Sequence, residues 1–151
     1  MAAEMRCNND GFEIIRHFEG LRLSVYRDPV GVPTVGYGST RGFDRCRISM
    51  DHRDITEEEA ETLLSMEVAK FEQVVAVLFY HPLGENQFSA LVSWAYNVGS
   101  GNAQASTLRQ RLNRGDIEGA SAEFPKWRLA GGRILRGLVR RRVAERELFD
   151  L

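Results

Sequence analysis

The chain has 151 residues, 43% of them hydrophobic and 27% charged, and a net charge of −1. Such a length and mix bound one globular domain, or two small lobes sharing a core, and exclude a disordered or low-complexity chain. No run approaches the roughly 18 apolar residues that spanning a membrane needs, and the opening stretch MAAEMRCNNDGFEII lacks the apolar core of a secretory signal.

In chain order, the first helix is expected to start near Asp10, with Asp10 and Glu13 as a capping box. Phe12, Ile14, Ile15 and Phe18 supply an apolar stripe at helical spacing, and Gly20 ends it. From residue 21 to about 50 the pattern changes to strand formers: Leu23, Val25, Val32, Val35 and Tyr37, broken by the turn Asp28-Pro29-Val30-Gly31. A small antiparallel sheet is expected there, with a third short strand within residues 45–50. Thr56 and Glu59 form a second capping box and open the longest helix, 56–79, about 36 Å at 1.5 Å per residue. A helix of that length is expected to connect two lobes. Helices follow over 85–98, from a cap at Ser106 to about Asn113, from Asp116 to Phe124, and over 137–149; Gly131-Gly132 reads as a loop. The fold class is α+β, with an N-terminal lobe over about 12–60 and a helical C-terminal lobe over about 80–151. The first helix is a candidate to pack on that second lobe.

Charge is unevenly spread. Residues 1–100 hold nine basic against fifteen acidic side chains, and residues 101–151 hold eleven against six. A basic C-terminal part suits an anionic wall polymer or membrane face; a solvated helix face with structural ion pairs is the plainer account. It lacks the aromatic interleaving of a nucleic-acid platform, so no nucleic acid is expected. Cys7 and Cys46 have no metal-ligand spacing and read as free thiols, with a disulfide as the alternative. His17, His52 and His81 are scattered, and no metal or cofactor is expected.

The chemistry concentrates in the first forty residues. Glu19 falls at the C-terminal end of a helix, where the dipole disfavours a negative charge, which suits a proton donor. Asp28 lies in a polar turn, and the Thr34 hydroxyl follows six positions later. Two carboxyl groups in different environments are what cutting a glycosidic bond requires, although with 21 acidic residues such spacing also arises by chance. Trp94 is expected in the core. Trp127 is open to either packing or sugar stacking. Arg140, Arg141 and Arg142 are open to pairing with Glu145 and Glu147, to reaching the site, or to meeting an anionic surface.

The residues around the pair resemble the phage-type lysozymes, glycoside hydrolase family 24. Glu19-Gly20, Tyr26-Arg27-Asp28 and Gly31-Val32-Pro33-Thr34-Val35-Gly36-Tyr37-Gly38 follow its Glu–Asp–Thr spacing. Gln87-Phe88-Ser89-Ala90-Leu91, Tyr96-Asn97-Val98-Gly99, Ser106-Thr107-Leu108, Leu112-Asn113-Arg114-Gly115-Asp116, Lys126-Trp127 and Gly137-Leu138-Val139-Arg140-Arg141-Arg142 with Glu145 continue it in order. One departure is Ser39, where many members carry histidine; it bears on substrate detail.

The resemblance implies a two-lobe fold and a muramidase that hydrolyses the β-1,4 bond between N-acetylmuramic acid and N-acetylglucosamine of peptidoglycan, with inversion. Glu19 is then the acid, and Asp28 and Thr34 place the water, with the carboxyl groups about 6.5–9.5 Å apart. Tyr37, Gly38, Gln104, Ser106 and Arg140 are candidates to bind substrate. The protein is expected to be a monomer, held in the host cytoplasm until a pore-former releases it to the wall. A lytic transglycosylase and a non-catalytic wall-binding protein are the alternatives; the first needs the acid but not the water-holding pair.

Overall fold

Asn8 starts the first helix. Its side chain accepts the Gly11 N–H at 3.0 Å, so the cap lies two residues before the expected Asp10, and α1 runs over Asn9–Glu19. The computed structural model describes residues 4–151. Residues 1–3, part of the stretch read for a leader, lie outside the described residues.

Beyond α1 come β1 (Arg22–Arg27), β2 (Pro33–Gly36), α2 (Glu57–Leu78), α3 (Glu85–Val98), α4 (Ser100–Ala105), α5 (Thr107–Asn113), α6 (Ile117–Ser121), β3 (Leu129–Ala130), β4 (Arg133–Ile134) and α7 (Arg136–Asp150). A 3₁₀ turn over Phe124–Lys126 precedes β3. The class is α+β. None of the described helices is long and apolar enough to cross a membrane. The chain divides into two units: residues 16–69, and residues 1–15 with 70–151. Helices α1 and α2 each contribute residues to both.

In the unit of residues 16–69, β1 and β2 pair antiparallel with Tyr26 opposite Thr34 and Arg27 opposite Pro33. An irregularity between Arg22 and Tyr26 bends the ladder. Val35, Ile48, Ile55, Ala60 and Leu63 form the core beneath, with Leu21, Val25, Tyr37 and Met66 against it. The expected third strand does not form. Arg41 and Arg47 make one isolated bridge, and the chain turns between them with Arg45 at φ 63° and the Cys46 N–H bonded to Asp44 Oδ1. The Thr56–Glu59 capping box is present in both directions, each bond 3.1 Å.

In the other unit, α3 is the central helix. Its residues 88–95 are buried without interruption, as expected of a helix surrounded on all sides. Trp94 is core, as the sequence indicates, with the rings of Trp127, Phe124 and Phe79 at 5.7, 6.3 and 6.4 Å. Residues before α1 are strapped down: the Cys7 N–H donates to Glu72 Oε2 at 2.6 Å and the Asn8 N–H to Ser89 Oγ at 2.9 Å. The strap explains Gly11, since a Cβ there would stand 2.5 Å from Cys7 Sγ. Cys7 and Cys46 are both free thiols. The Gly131-Gly132 loop is the turn of the β3–β4 hairpin, both glycines at positive φ. Helix α4, over SGNAQA, has no apolar period to announce it.

Candidate active site

Glu19, Asp28, Thr34, Tyr37 and Gly38 all belong to the unit of residues 16–69; Gln104, Ser106 and Arg140 belong to the other. Glu19 is the last residue of α1. The helix closes through the Gly20 N–H to Arg16 O at 3.0 Å, with Gly20 at φ 72°. That end is fixed by Arg16, whose guanidinium grips both oxygens of Glu61 at 2.7 and 2.9 Å. The same Glu61 carboxylate accepts the Tyr37 phenol, and these two bonds hold its pKa below the usual carboxylate value. The Tyr37 side chain is thereby committed to α2, which leaves its backbone for any contact with substrate.

Gly38 approaches Glu19 closely. A Cβ on Gly38 would lie 3.0 Å from Glu19 Oε2, and its φ of 85° favours glycine independently. The next residue, Ser39, is buried, and its hydroxyl makes no hydrogen bond among the described residues.

Asp28 and Thr34 are anchored to one residue, Val32. Asp28 Oδ1 accepts the N–H groups of Val30 and Val32, each at 2.9 Å, and so folds the Asp-Pro-Val-Gly turn around its own side chain. The Val32 carbonyl accepts the Asp28 N–H at 3.0 Å and the Thr34 hydroxyl at 2.9 Å. Thr34 is buried. With its proton committed to Val32 O, its hydroxyl presents only lone pairs outward. Asp28 Oδ2 likewise is an acceptor.

Tyr26 is the site residue that sequence reasoning passed over. It pairs with Thr34 across the hairpin, and the Arg22 guanidinium stacks 4.5 Å from its ring centre. Its phenol pKa is raised, first by burial and then by the Glu19 carboxylate, with Arg22 opposing and Asp28 adding. Tyr26 thus feels both proposed catalytic carboxylates. The signal was its position two residues before Asp28, near the end of β1.

The remaining candidates are less engaged with chemistry. Ser106 caps α5, as the sequence indicates: its hydroxyl accepts the Arg109 N–H and donates to Ala103 O. Its proton and one lone pair are spent on backbone, and one lone pair remains. Gln104 and Arg140 are exposed. Arg141 and Arg142 are buried and pair with Glu145. Among the described residues no group of three His, Cys, Asp or Glu side chains could hold a metal.

Comparison with known proteins shows the family. The family described as phage lysozyme matches residues 16–145. The chain is 42% identical to an endolysin of Bacillus phage B103, over 96% of this chain and 54% of that protein. It is 38% identical to an endolysin of Acyrthosiphon pisum secondary endosymbiont phage 1, over 97% and 99%. The chain therefore spans about half the length of the first relative and almost all of the second. The solved endolysin from Escherichia coli O157:H7 phage FAHEc1 superposes with a TM-score of 0.85 at 35% identity, covering 99% of this chain and 96% of that one. The chain belongs to the phage lysozyme family: it carries the lysozyme-type glycoside hydrolase domain of the endolysins.

Proposed function

We propose that this domain hydrolyses the β-1,4 bond between N-acetylmuramic acid and N-acetylglucosamine in peptidoglycan, with inversion, during host lysis. Glu19 gives its proton to the leaving glycosidic oxygen. A water held by Asp28 and Thr34 attacks the anomeric carbon from the opposite face and passes its proton to Asp28. The observation that carries this reading is the double anchorage on Val32. Asp28 Oδ2 and Thr34 Oγ1 are both acceptors, so a water between them donates both protons and turns a lone pair outward. That is the orientation a nucleophilic water needs. Gly38 and the backbone beside Tyr37 lie against Glu19 and are suited to bond the acetamido groups. The protein acts as a monomer, reaching the wall from the cytoplasm after a pore-former opens the membrane.

The test is product analysis on purified peptidoglycan. Glu19→Gln is expected to lose about 10²–10⁴ of the rate, and the new reducing end to appear first as the α-anomer by NMR. Anhydro-muramic ends in the mass spectrum would instead establish a lytic transglycosylase, and full activity of Glu19→Gln would remove the assignment of the acid.

A further inference from the structure

The surface from β3 to the second turn of α7 carries basic side chains that no carboxylate pairs among the described residues. Between Glu123 and Glu145 there is no carboxylate and there are seven basic residues. Arg141 and Arg142 are buried with Glu145, and Lys126 pairs with Glu123. The other four, Arg128, Arg133, Arg136 and Arg140, are exposed, and their side chains make no hydrogen bond or ion pair among the described residues.

Aliphatic side chains lie among these arginines. Leu129 and Ile134 are 58% and 61% exposed and sit opposite each other on the hairpin, so they share a face. Arg136, Val139, Arg140 and Val143 follow at helical spacing along the outer face of α7, whose inner face is taken by Arg141, Arg142, Glu145, Leu148 and Phe149. Leu129, Ala130, Leu135 and Leu138 line one pocket of about 320 Å³, which makes hairpin and helix a continuous surface.

The mixture selects the occupant. A strand of sugars and acidic peptides answers the guanidiniums but not the exposed aliphatics. A nucleic acid calls for stacking aromatics, and none stands among these exposed side chains. A bilayer surface answers both, with phosphates for the arginines and the acyl boundary for leucine, isoleucine and valine. We propose that this patch docks the protein on a bilayer rich in anionic phospholipid. The proposal does not depend on the catalytic residues, so Glu19→Gln protein is expected to bind equally.

The experiment is cosedimentation of the full chain with vesicles of phosphatidylglycerol and phosphatidylethanolamine in equal parts, against vesicles of phosphatidylcholine alone. Binding to the anionic vesicles is expected to be at least about tenfold tighter and to weaken sharply in about 1 M salt. At roughly fivefold per basic residue, Arg128→Gln, Arg133→Gln and Arg136→Gln together are expected to weaken it about a hundredfold. Leu129→Ser with Ile134→Ser is expected to weaken it several-fold at low salt, a loss that charge attraction alone would not show. All five positions are exposed, so thermal unfolding and turnover of purified peptidoglycan are expected to stay near those of the parent. Equal binding to both vesicles, or unchanged binding by the triple arginine variant, overturns the proposal. So does loss of peptidoglycan binding in that variant without vesicle binding by the parent, which would make the patch a wall-polymer surface. Binding to lipopolysaccharide particles but not to phospholipid would overturn the assignment of the lipid.

Discussion

The Thr34 hydroxyl has one proton and two lone pairs, and the Val32 carbonyl takes the proton. In the proposed reaction its whole use is therefore as an acceptor. Thr34→Val removes that acceptor while keeping the shape, and Val32 O keeps the Asp28 N–H as partner. The expected loss of stability is about 1 kcal/mol, and the expected loss of kcat about a hundredfold. Thr34→Ser is expected to retain most of the rate, and comparable kcat for the Ser and Val variants would remove the water-holding role. Gly38 tests the other carboxylate. Gly38→Ala meets an unfavourable φ of 85° and a 3.0 Å approach to Glu19 Oε2 together. The backbone cost is about 1–2 kcal/mol, and displacing Glu19 is expected to lower kcat beyond anything that loss of stability explains at a temperature where the variant is folded. An unchanged kcat would mean that Glu19 moves aside without consequence.

At the scale of elements, the start of α2 shows how a local pattern becomes a pH-dependent bond. Glu59 accepts Thr56 N–H within the capping box and both terminal nitrogens of Arg53, and its pKa falls to about 2, chiefly through Arg53. A depressed carboxylate pKa stabilises the fold above the unfolded value near 4.5, and that stabilisation is lost as pH falls towards about 2. Glu59→Gln is therefore expected to melt below the parent at neutral pH and to match it near pH 2. The gap should be small and shrink with salt, because the group is open to solvent. A gap independent of pH in thermal melts would show that the carboxylate's charge plays no part.

This box was legible because Thr and Glu three apart name their own partners, and α3 was legible from its bounds at Gly84 and Gly99. Elements set by backbone conformation were not. The Arg45 turn cancels an expected strand, and the β3–β4 ladder has only two residues per strand to display a period. The site follows the same division. Glu19, Asp28 and Thr34 are readable by type and spacing. Val32 is not, because its contribution is an N–H and a C=O that any residue carries, and Tyr26 looks like an ordinary strand former.

For the molecule as a whole, charge is sorted by unit. Residues 16–69, which hold the three proposed catalytic side chains, carry seven basic against ten acidic residues, and the rest carry thirteen against eleven. One part of that excess of cations lies inside. Glu145 is fully buried on α7 between Arg141 and Arg142, with contacts at 3.2 and 2.8 Å, and it accepts the Ser93 hydroxyl of α3 at 2.6 Å. Arg141 also donates to Ser93 O at 3.1 Å. Burial raises the Glu145 pKa, and the two guanidiniums and the hydroxyl pull it back. Glu145 contacts both buried cations, so its removal takes a counter-charge from each of them in a medium that solvates ions poorly. Glu145→Gln keeps the shape and hydrogen-bonding length but not the charge, and is expected to cost about 3–5 kcal/mol. For a chain of this size that corresponds to a fall in Tm of roughly 6–20 °C. The control lies on the same helix: Arg146 and Asp150 form an exposed pair at 3.7 Å, and Asp150→Asn is expected to cost no more than about 1 kcal/mol. Salt should leave the Glu145→Gln deficit in place, since ions do not screen a buried pair. If both variants melt within a few degrees of the parent, the α3–α7 junction is held by its apolar packing around Trp94 and Phe124, and the buried charges are carried by it.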